Sequence, residues 1–378
     1  MLWNNSTYAQ ARGFRVPAIA LALLYSFSGV GLANDTPPTA AQDSETLETR
    51  LREVRLFEEP LIATGPSSLE EQQTLWRAIQ QYRDGGNAEA LGPLKSFLEQ
   101  YPRSPWGLAL RTNIGLTYYR LGYFSSAMNE WEDAWRDARA QAQPDVKRLA
   151  DRALGELVRM HARIGHADRV NTLLKEAERR PLQGPATEAV AGAREGLWMM
   201  RNDPGLAYLC GPMALKNILE FQGADKSRVA QLNAVRSSPR GVTLDEVGRL
   251  AKQVNLSYTI AKRIPGTPIP LPAVVHWKIN HYAAIVGEQN GRYHLKDPTF
   301  GHDLWISKAA LEDETSNYFL IPQGAAKQPG WKAVSQADAR RVFGMGATTA
   351  VDDTRISPND VKACDWSGPL NLRTQSPT

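Results

Sequence analysis

Between residues 69 and 200, apolar side chains recur every three or four positions, with polar residues between them, which predicts a succession of amphipathic helices arranged in pairs. The pattern changes after Pro204. Two further helical stretches are expected at 211–221 and 243–254, followed by short runs rich in β-branched and aromatic residues at 257–261, 273–277, 282–286 and 292–296. Helices first and a meander of strands afterwards predict an α+β arrangement with an antiparallel sheet, and argue against a doubly wound one. Residues 323–378 are rich in Gly, Pro, Ser, Thr and Asp and read as a largely irregular tail, with one short helix expected at 335–342, capped by Ser335. At the other end, residues 34–66 read as a linker containing a short helix at 46–57 before Pro60.

The helical region carries an internal repeat. Gly115, Tyr118, Gly122, Phe124, Ala127, Trp131 and Ala134 follow Gly-x2-Tyr-x3-Gly-x-Phe-x2-Ala-x3-Trp-x2-Ala, which matches the tetratricopeptide pattern at every position. Small residues in that pattern let two helices approach, large ones fill the groove of the next pair, and Gly122 falls near the turn between helices. A second copy runs through Ala78, Gly85, Ala90, Leu94, Phe97 and Pro102, and a third through Val158, Gly165, Val170, Leu174 and Ala177. Three copies meet the minimum of about three that such a stack needs to bury a continuous core. The expected organisation is therefore an all-α tetratricopeptide-repeat domain over 67–200, closed by a helix at 187–200, then an α+β domain over 201–322.

Residues 1–33 read as an export signal: Arg12 and Arg15 precede the apolar stretch 16–24, and Gly31 to Ala33 offer small residues for cleavage. An uncleaved anchor fits less well, because Ser26, Ser28, Gly29 and Gly31 dilute the run below the ~20 apolar residues a spanning helix needs. A periplasmic or extracellular location follows as the expectation. The formal charge of +4 falls to +2 without the two signal arginines, too small to argue for nucleic acid or an anionic membrane surface as partner. With 42% hydrophobic and 22% charged residues, the chain is neither collagen-like nor disordered. Its two cysteines, Cys210 and Cys364, would be read first as a disulfide in an exported protein, but the surroundings of Cys210 indicate a different role.

Cys210 opens an amphipathic helix in Tyr208-Leu209-Cys210-Gly211-Pro212-Met213. A helix N-terminus favours a thiolate over a thiol, which makes a nucleophile of the sulfur. Gly211 would leave room for a substrate carbonyl, and Pro212 fits the first turn, where a missing N–H is harmless. A cysteine nucleophile needs a base, and the base an orienting partner. Asn280-His281-Tyr282 begins one apolar strand, Lys296-Asp297-Pro298 ends the next, and Gly291 lies between them. A hairpin would set His281 beside Asp297. His276, His294, His302 and Asp303 lack the spacing of a metal site, so no metal and no cofactor are expected.

Cys-Gly-Pro at a helix start, Asn-His-Tyr before a strand and Asp-Pro one hairpin later resemble cysteine peptidase family 39, the bacteriocin-processing group that cuts after double-glycine leaders. The likeness covers about residues 203–322, including Gly241 to Asp245 and Pro272-Ala273. It implies a papain-like fold and peptide-bond hydrolysis, with Cys210 as nucleophile, His281 as general base and acid, and Asp297 as the orienting carboxylate. One position departs from the family. Six residues before the cysteine, where the resemblance implies an oxyanion-donating glutamine, stands Pro204, with Asn202 just upstream or a backbone N–H as the expected substitute donor. Loss of one such donor lowers rates by roughly 10²–10³. Two readings follow: an exported thiol peptidase whose repeats bind a protein partner or substrate, or a weak or inactive peptidase fold serving as an interaction adaptor. The whole chain also resembles the N-terminal region of bacterial Rhs/YD-repeat proteins, an impression to which residues 54–66 and 331–346 contribute.

Overall fold

The computed structural model describes residues 40–347 apart from Pro298. The export signal, the first residues of the expected linker and Cys364 lie outside them. Eight helices come first: α1 (Ala40–Glu53), α2 (Leu69–Asp84), α3 (Gly92–Gln100), α4 (Gly107–Leu121), α5 (Phe124–Ala138), α6 (Pro144–Arg163), α7 (Ala167–Ala177) and α8 (Pro185–Asn202). Local chemistry starts several of them. The Ser68 hydroxyl accepts from the Glu71 N–H to cap α2, and prolines occupy the first turns of α6 and α8, where no N–H is needed.

The expected pairs form as α2–α3, α4–α5 and α6–α7. Their small residues are explained by close approach. A methyl group on Gly115 would lie 2.4 Å from the Trp131 indole nitrogen, so α4 and α5 can meet only over a glycine. Gly122 is left-handed, at φ +89°, and ends α4 in the turn before α5.

The rest of the described chain comprises α9 (Pro204–Ala207), α10 (Cys210–Phe221), α11 (Lys226–Asn233), β1 (Val242–Thr243), α12 (Leu244–Gln253), β2 (Tyr258–Arg263), β3 (Ala273–Trp277), β4 (His281–Gln289), β5 (Arg292–Asp297), β6 (Gly301–Ser307), α13 (Lys308–Glu314) and β7 (Thr315–Pro322). A 3₁₀ turn (Gln323–Lys327), β8 (Trp331–Ala333), α14 (Gln336–Ala339) and β9 (Phe343–Gly344) complete it. Seven strands form one antiparallel sheet in the order β6-β5-β4-β3-β7-β2-β8, while β1 and β9 pair separately. Thr243 and Glu246 form a reciprocal capping box at the start of α12.

The sheet is covered on both faces, and the alternation of its strands shows how. Val275, Ala283, Ile285 and Phe319 point into the core shared with the helix pairs. Their neighbours Val274, Tyr282, Ala284 and Leu320 point the other way, onto α10 and α12. One core therefore runs from Leu51 through the helix pairs to Ile306, across the boundary expected at residue 200. Phe124, the first residue of α5, stacks on Phe300 at 4.2 Å. A methyl group on Gly122 would strike Ile306 of β6 at 2.4 Å.

Two expectations about the ends need correcting. Residues 46–66 are not a plain linker: α1 ends at Glu53, short of the expected Phe57, and Leu51, Leu61, Ile62 and Ala63 are buried in the helical core. Residues 323–347 are not irregular either. Strand β8 extends the sheet beyond β2, burying Trp331, and Ser335 caps a helix that ends at Ala339, not at residue 342. Neither segment carries a sustained helical or strand period, so each reads as loop until the surface it lies on is known.

Candidate active site

Cys210 is the first residue of α10, and its helix packs on β4. The four-residue helix α9 leads into it, beginning with Pro204 at the position where a missing N–H is harmless, and Asp203 caps that turn by accepting from the Leu206 N–H. Asn217, two turns along α10, donates from its side chain to the Lys296 carbonyl at 3.0 Å. That bond ties the cysteine-bearing helix to the strand that ends in Asp297. Gly211 does not open space for a substrate carbonyl, as the sequence suggested. A methyl group there would meet Val247 of α12 at 2.6 Å, so the glycine serves helix packing.

The hairpin forms as the apolar runs predicted. Asn290 and Gly291 both have positive φ, +52° and +72°, the two-residue turn that matches strand twist. A bulge between Ile285 and Gly287 shifts the register near the middle of the pair. Asn280, at φ +58°, turns the chain into β4 so that His281 is its first residue. His281 Nε2 donates to Asp297 Oδ2 at 2.7 Å, while Asp297 Oδ1 accepts from the Thr299 N–H at 2.9 Å. With Nε2 engaged, Nδ1 is the nitrogen left for chemistry. It is buried, makes no hydrogen bond of its own and faces Cys210. A point 1.9 Å from Nδ1 lies 3.0 Å from Cys210 Cβ, so the two atoms are no farther apart than the sum of those lengths.

Burial opposes a charged His281. The Asp297 carboxylate and its hydrogen bond more than offset this, with help from Cys210, and the pKa is pushed up to about 10. The ring is also held mechanically. Phe300 meets it edge-on at 5.0 Å, and Phe300 rests on Phe124 of the helix pairs. Thr299, Phe300 and Asn217 were not singled out from the sequence, and Phe124 only as a repeat position, because each works through a contact with a distant segment.

Asn202 is not brought to the site. It is exposed at the end of α8, and its amide donates to the Trp198 carbonyl one turn earlier. The oxyanion role expected of it therefore has no donor from this side chain, and Pro204 supplies none. The Cys210 backbone N–H, in the first turn of α10, has no acceptor within its own helix and remains as a donor beside the sulfur. His294 and Asp303 pair with each other at 2.8 Å near the sheet edge, against Trp305, away from His276 on β3.

The site is covered by its own chain. Residues 342–347 run across Cys210 and His281, and the two residues are 2% and 0% exposed. Gly344 pairs with Val242 of β1, the Met345 N–H donates to the Asn280 carbonyl at 2.8 Å, and the Ala347 N–H donates to the Arg163 carbonyl at 2.7 Å. Thr299 donates from its hydroxyl to the Ala347 carbonyl, and the Tyr282 hydroxyl to that of Val342. His276 Nε2 donates to the Phe343 carbonyl at 2.7 Å. Beside this segment opens a depression of about 530 Å³ lined in part by His276, Asn280, Phe343 and Met345.

Residues 207–327 match the Peptidase C39 family, a region that includes Cys210, His281 and Asp297 and stops short of the covering segment. The match supports a cysteine peptidase, and hence a hydrolase, over this part of the chain. Among solved structures the chain is similar to a double glycine motif protease from an AMS/PCAT transporter, crystallised in complex with the leader peptide. The two are 20% identical, with 30% of this chain and 81% of that one covered, at a TM-score of 0.26. No curated protein matches.

Proposed function

We propose that residues 201–322 hydrolyse peptide bonds, with Cys210 as nucleophile, His281 as proton carrier and Asp297 as the residue that orients it. The observation that carries this reading is the 2.7 Å bond from His281 Nε2 to Asp297, which leaves the buried Nδ1 turned toward Cys210. In the reaction, the proton shared by Cys210 and His281 rests on Nδ1 as sulfur attacks the carbonyl carbon. The Asp297 carboxylate keeps the resulting imidazolium stable, and Nδ1 then protonates the departing amine. Water releases the acyl group and restores the thiol. The helix pairs, as tetratricopeptide-like repeats, would position a protein substrate, and the N-terminal signal would place the enzyme in the periplasm or outside the cell.

A second reading is favoured by one observation: Pro204 offers no oxyanion donor and the Asn202 amide is committed to Trp198. On that reading the domain is an interaction adaptor with weak or no turnover. A mixed peptide library treated with wild type or Cys210→Ala and read by mass spectrometry separates the two. Cleavage by wild type alone supports the peptidase. Absence of cleavage by both, together with no preferential iodoacetamide labelling of Cys210 over Cys364, removes it in favour of the adaptor.

A further inference from the structure

The covering segment is seated as an extended peptide would be in a protease cleft. Gly344 adds to β1 as a paired strand residue, a common mode of peptide recognition. Met345 is held by its N–H on the carbonyl of Asn280, the residue before His281. Ala347 is held on the far side by the Arg163 carbonyl and Thr299. The bonds on either side of Gly346 thus cross the space between Cys210 and His281 with anchors upstream and downstream.

Only glycine fits at the two positions nearest the reacting groups. A methyl group on Gly344 would lie 2.2 Å from Tyr282 and 2.9 Å from Cys210 Sγ. One on Gly346 would lie 1.9 Å from His281 Nδ1. Gly165, in the turn after α6, is close-packed for the same reason: a methyl group there would strike the Met345 carbonyl oxygen at 2.1 Å. Three separate glycines therefore let this segment approach the site, and all three, Gly165, Gly344 and Gly346, lie outside the region that matches the peptidase family. A merely structural lid would not need its backbone against the imidazole nitrogen that carries the proton.

We infer that the chain is its own substrate, Cys210 cutting the bond between Met345 and Gly346 in cis. This rests on the peptidase reading of the site. The bond is assigned from its two flanking residues: Met345 is fixed by Asn280, and a methyl group on Gly346, whose nitrogen would leave, would lie 1.9 Å from Nδ1. Sulfur forms a bond to the Met345 carbonyl carbon while His281 Nδ1 holds the proton. The C–N bond then breaks, and Nδ1 returns that proton to the Gly346 amine, which departs as a new amino terminus. One water hydrolyses the thioester, giving a Met345 carboxylate and regenerating the thiol. Removal of the segment would uncover the cleft for other peptides.

The test uses the full chain, followed by intact mass at neutral pH, with Cys210→Ala, Gly346→Val and a synthetic peptide of residues 339–351 supplied in trans. The expected result is conversion of wild type to a fragment ending at Met345 and one beginning at Gly346. Conversion should follow a first-order course independent of protein concentration. Cys210→Ala stays whole, and so does Gly346→Val, whose Cys210 is alkylated faster than that of uncut wild type because the valine cannot seat. The inference is overturned if wild type stays whole while cutting the added peptide, if the cut falls at another bond, or if Cys210→Ala is cut as well. In the first of these cases the peptidase reading stands alone. Should neither wild type nor Gly346→Val cut any peptide, both readings fail together.

Discussion

Two neighbouring regions of the sheet each bury a histidine, and they treat it in opposite ways. His281 opens β4 and His276 lies on β3, and both are almost wholly shielded from water. Shielding alone disfavours a charged imidazole, and at His276 it prevails. Its partners, the Ser316 hydroxyl and the Phe343 carbonyl, are neutral, and the nearby charge of His281 adds repulsion, so its pKa falls to about 4. At His281 the same desolvation is outweighed by one carboxylate, and the pKa rises to about 10. Equal burial thus yields one histidine whose neutral form is favoured and which holds the covering segment, and one whose protonated form its carboxylate favours. The partner decides the role.

The comparison breaks most severely if its carboxylate is neutralised. Asp297→Asn should leave the fold intact yet lower kcat/KM toward a cleavable peptide by roughly 10³–10⁴, as loss of the orienting charge does in comparable triads. In the same variant the His281 ring should titrate far below about 10, approaching the behaviour of His276, as followed by NMR. Next in size is the support behind the ring. Phe124→Ala removes a fully buried aromatic side chain on which Phe300 rests, and should destabilise the protein by about 3–5 kcal/mol in chemical denaturation.

The pH dependence of stability sharpens the contrast further, because the two groups act in different windows. His281 binds its proton more tightly folded than unfolded. Its contribution is complete below the ordinary value of 6.5 and is lost as pH rises toward about 10. His276 binds its proton less tightly when folded, so its contribution is present above 6.5 and is lost as pH falls toward about 4. Denaturation midpoints measured across both windows should show an alkaline decline that Asp297→Asn flattens and an acid decline that His276→Gln flattens. The smallest effect is expected of Ser316→Ala, which removes a hydroxyl from His276 and should cost about 1 kcal/mol with little change in the alkaline limb.

Much of this site could be read in advance, for local reasons. Cys210 at a helix start, His281 at a strand start and the Asn290-Gly291 turn are signals that a few adjacent residues carry. The segment over the cleft could not be read that way. Phe343 to Ala347 has the composition of a loop, and its glycines look like ordinary turn residues until Gly346 is found against His281 and Gly344 against Tyr282. Asn202 failed as a donor for the converse reason: its place in the chain suited the role, but α8 continues through it and Trp198 takes its amide. Gly122 was expected near a turn between helices and does end α4, but it is also a contact with Ile306, as Gly165 is with Met345.

What the amino-acid sequence determined unaided was whatever depends on periodicity and local geometry: the paired helices, the hairpin between His281 and Asp297, and the identity of the residues at its end. Tertiary structure alone decided that the helix pairs and the sheet share one core, that Phe124 and Phe300 brace the imidazole, and that residues 342–347 lie in the cleft. Contacts of that kind join segments tens to hundreds of residues apart. Their energy depends on shape and burial in the assembled molecule, and those exist only once the chain has folded.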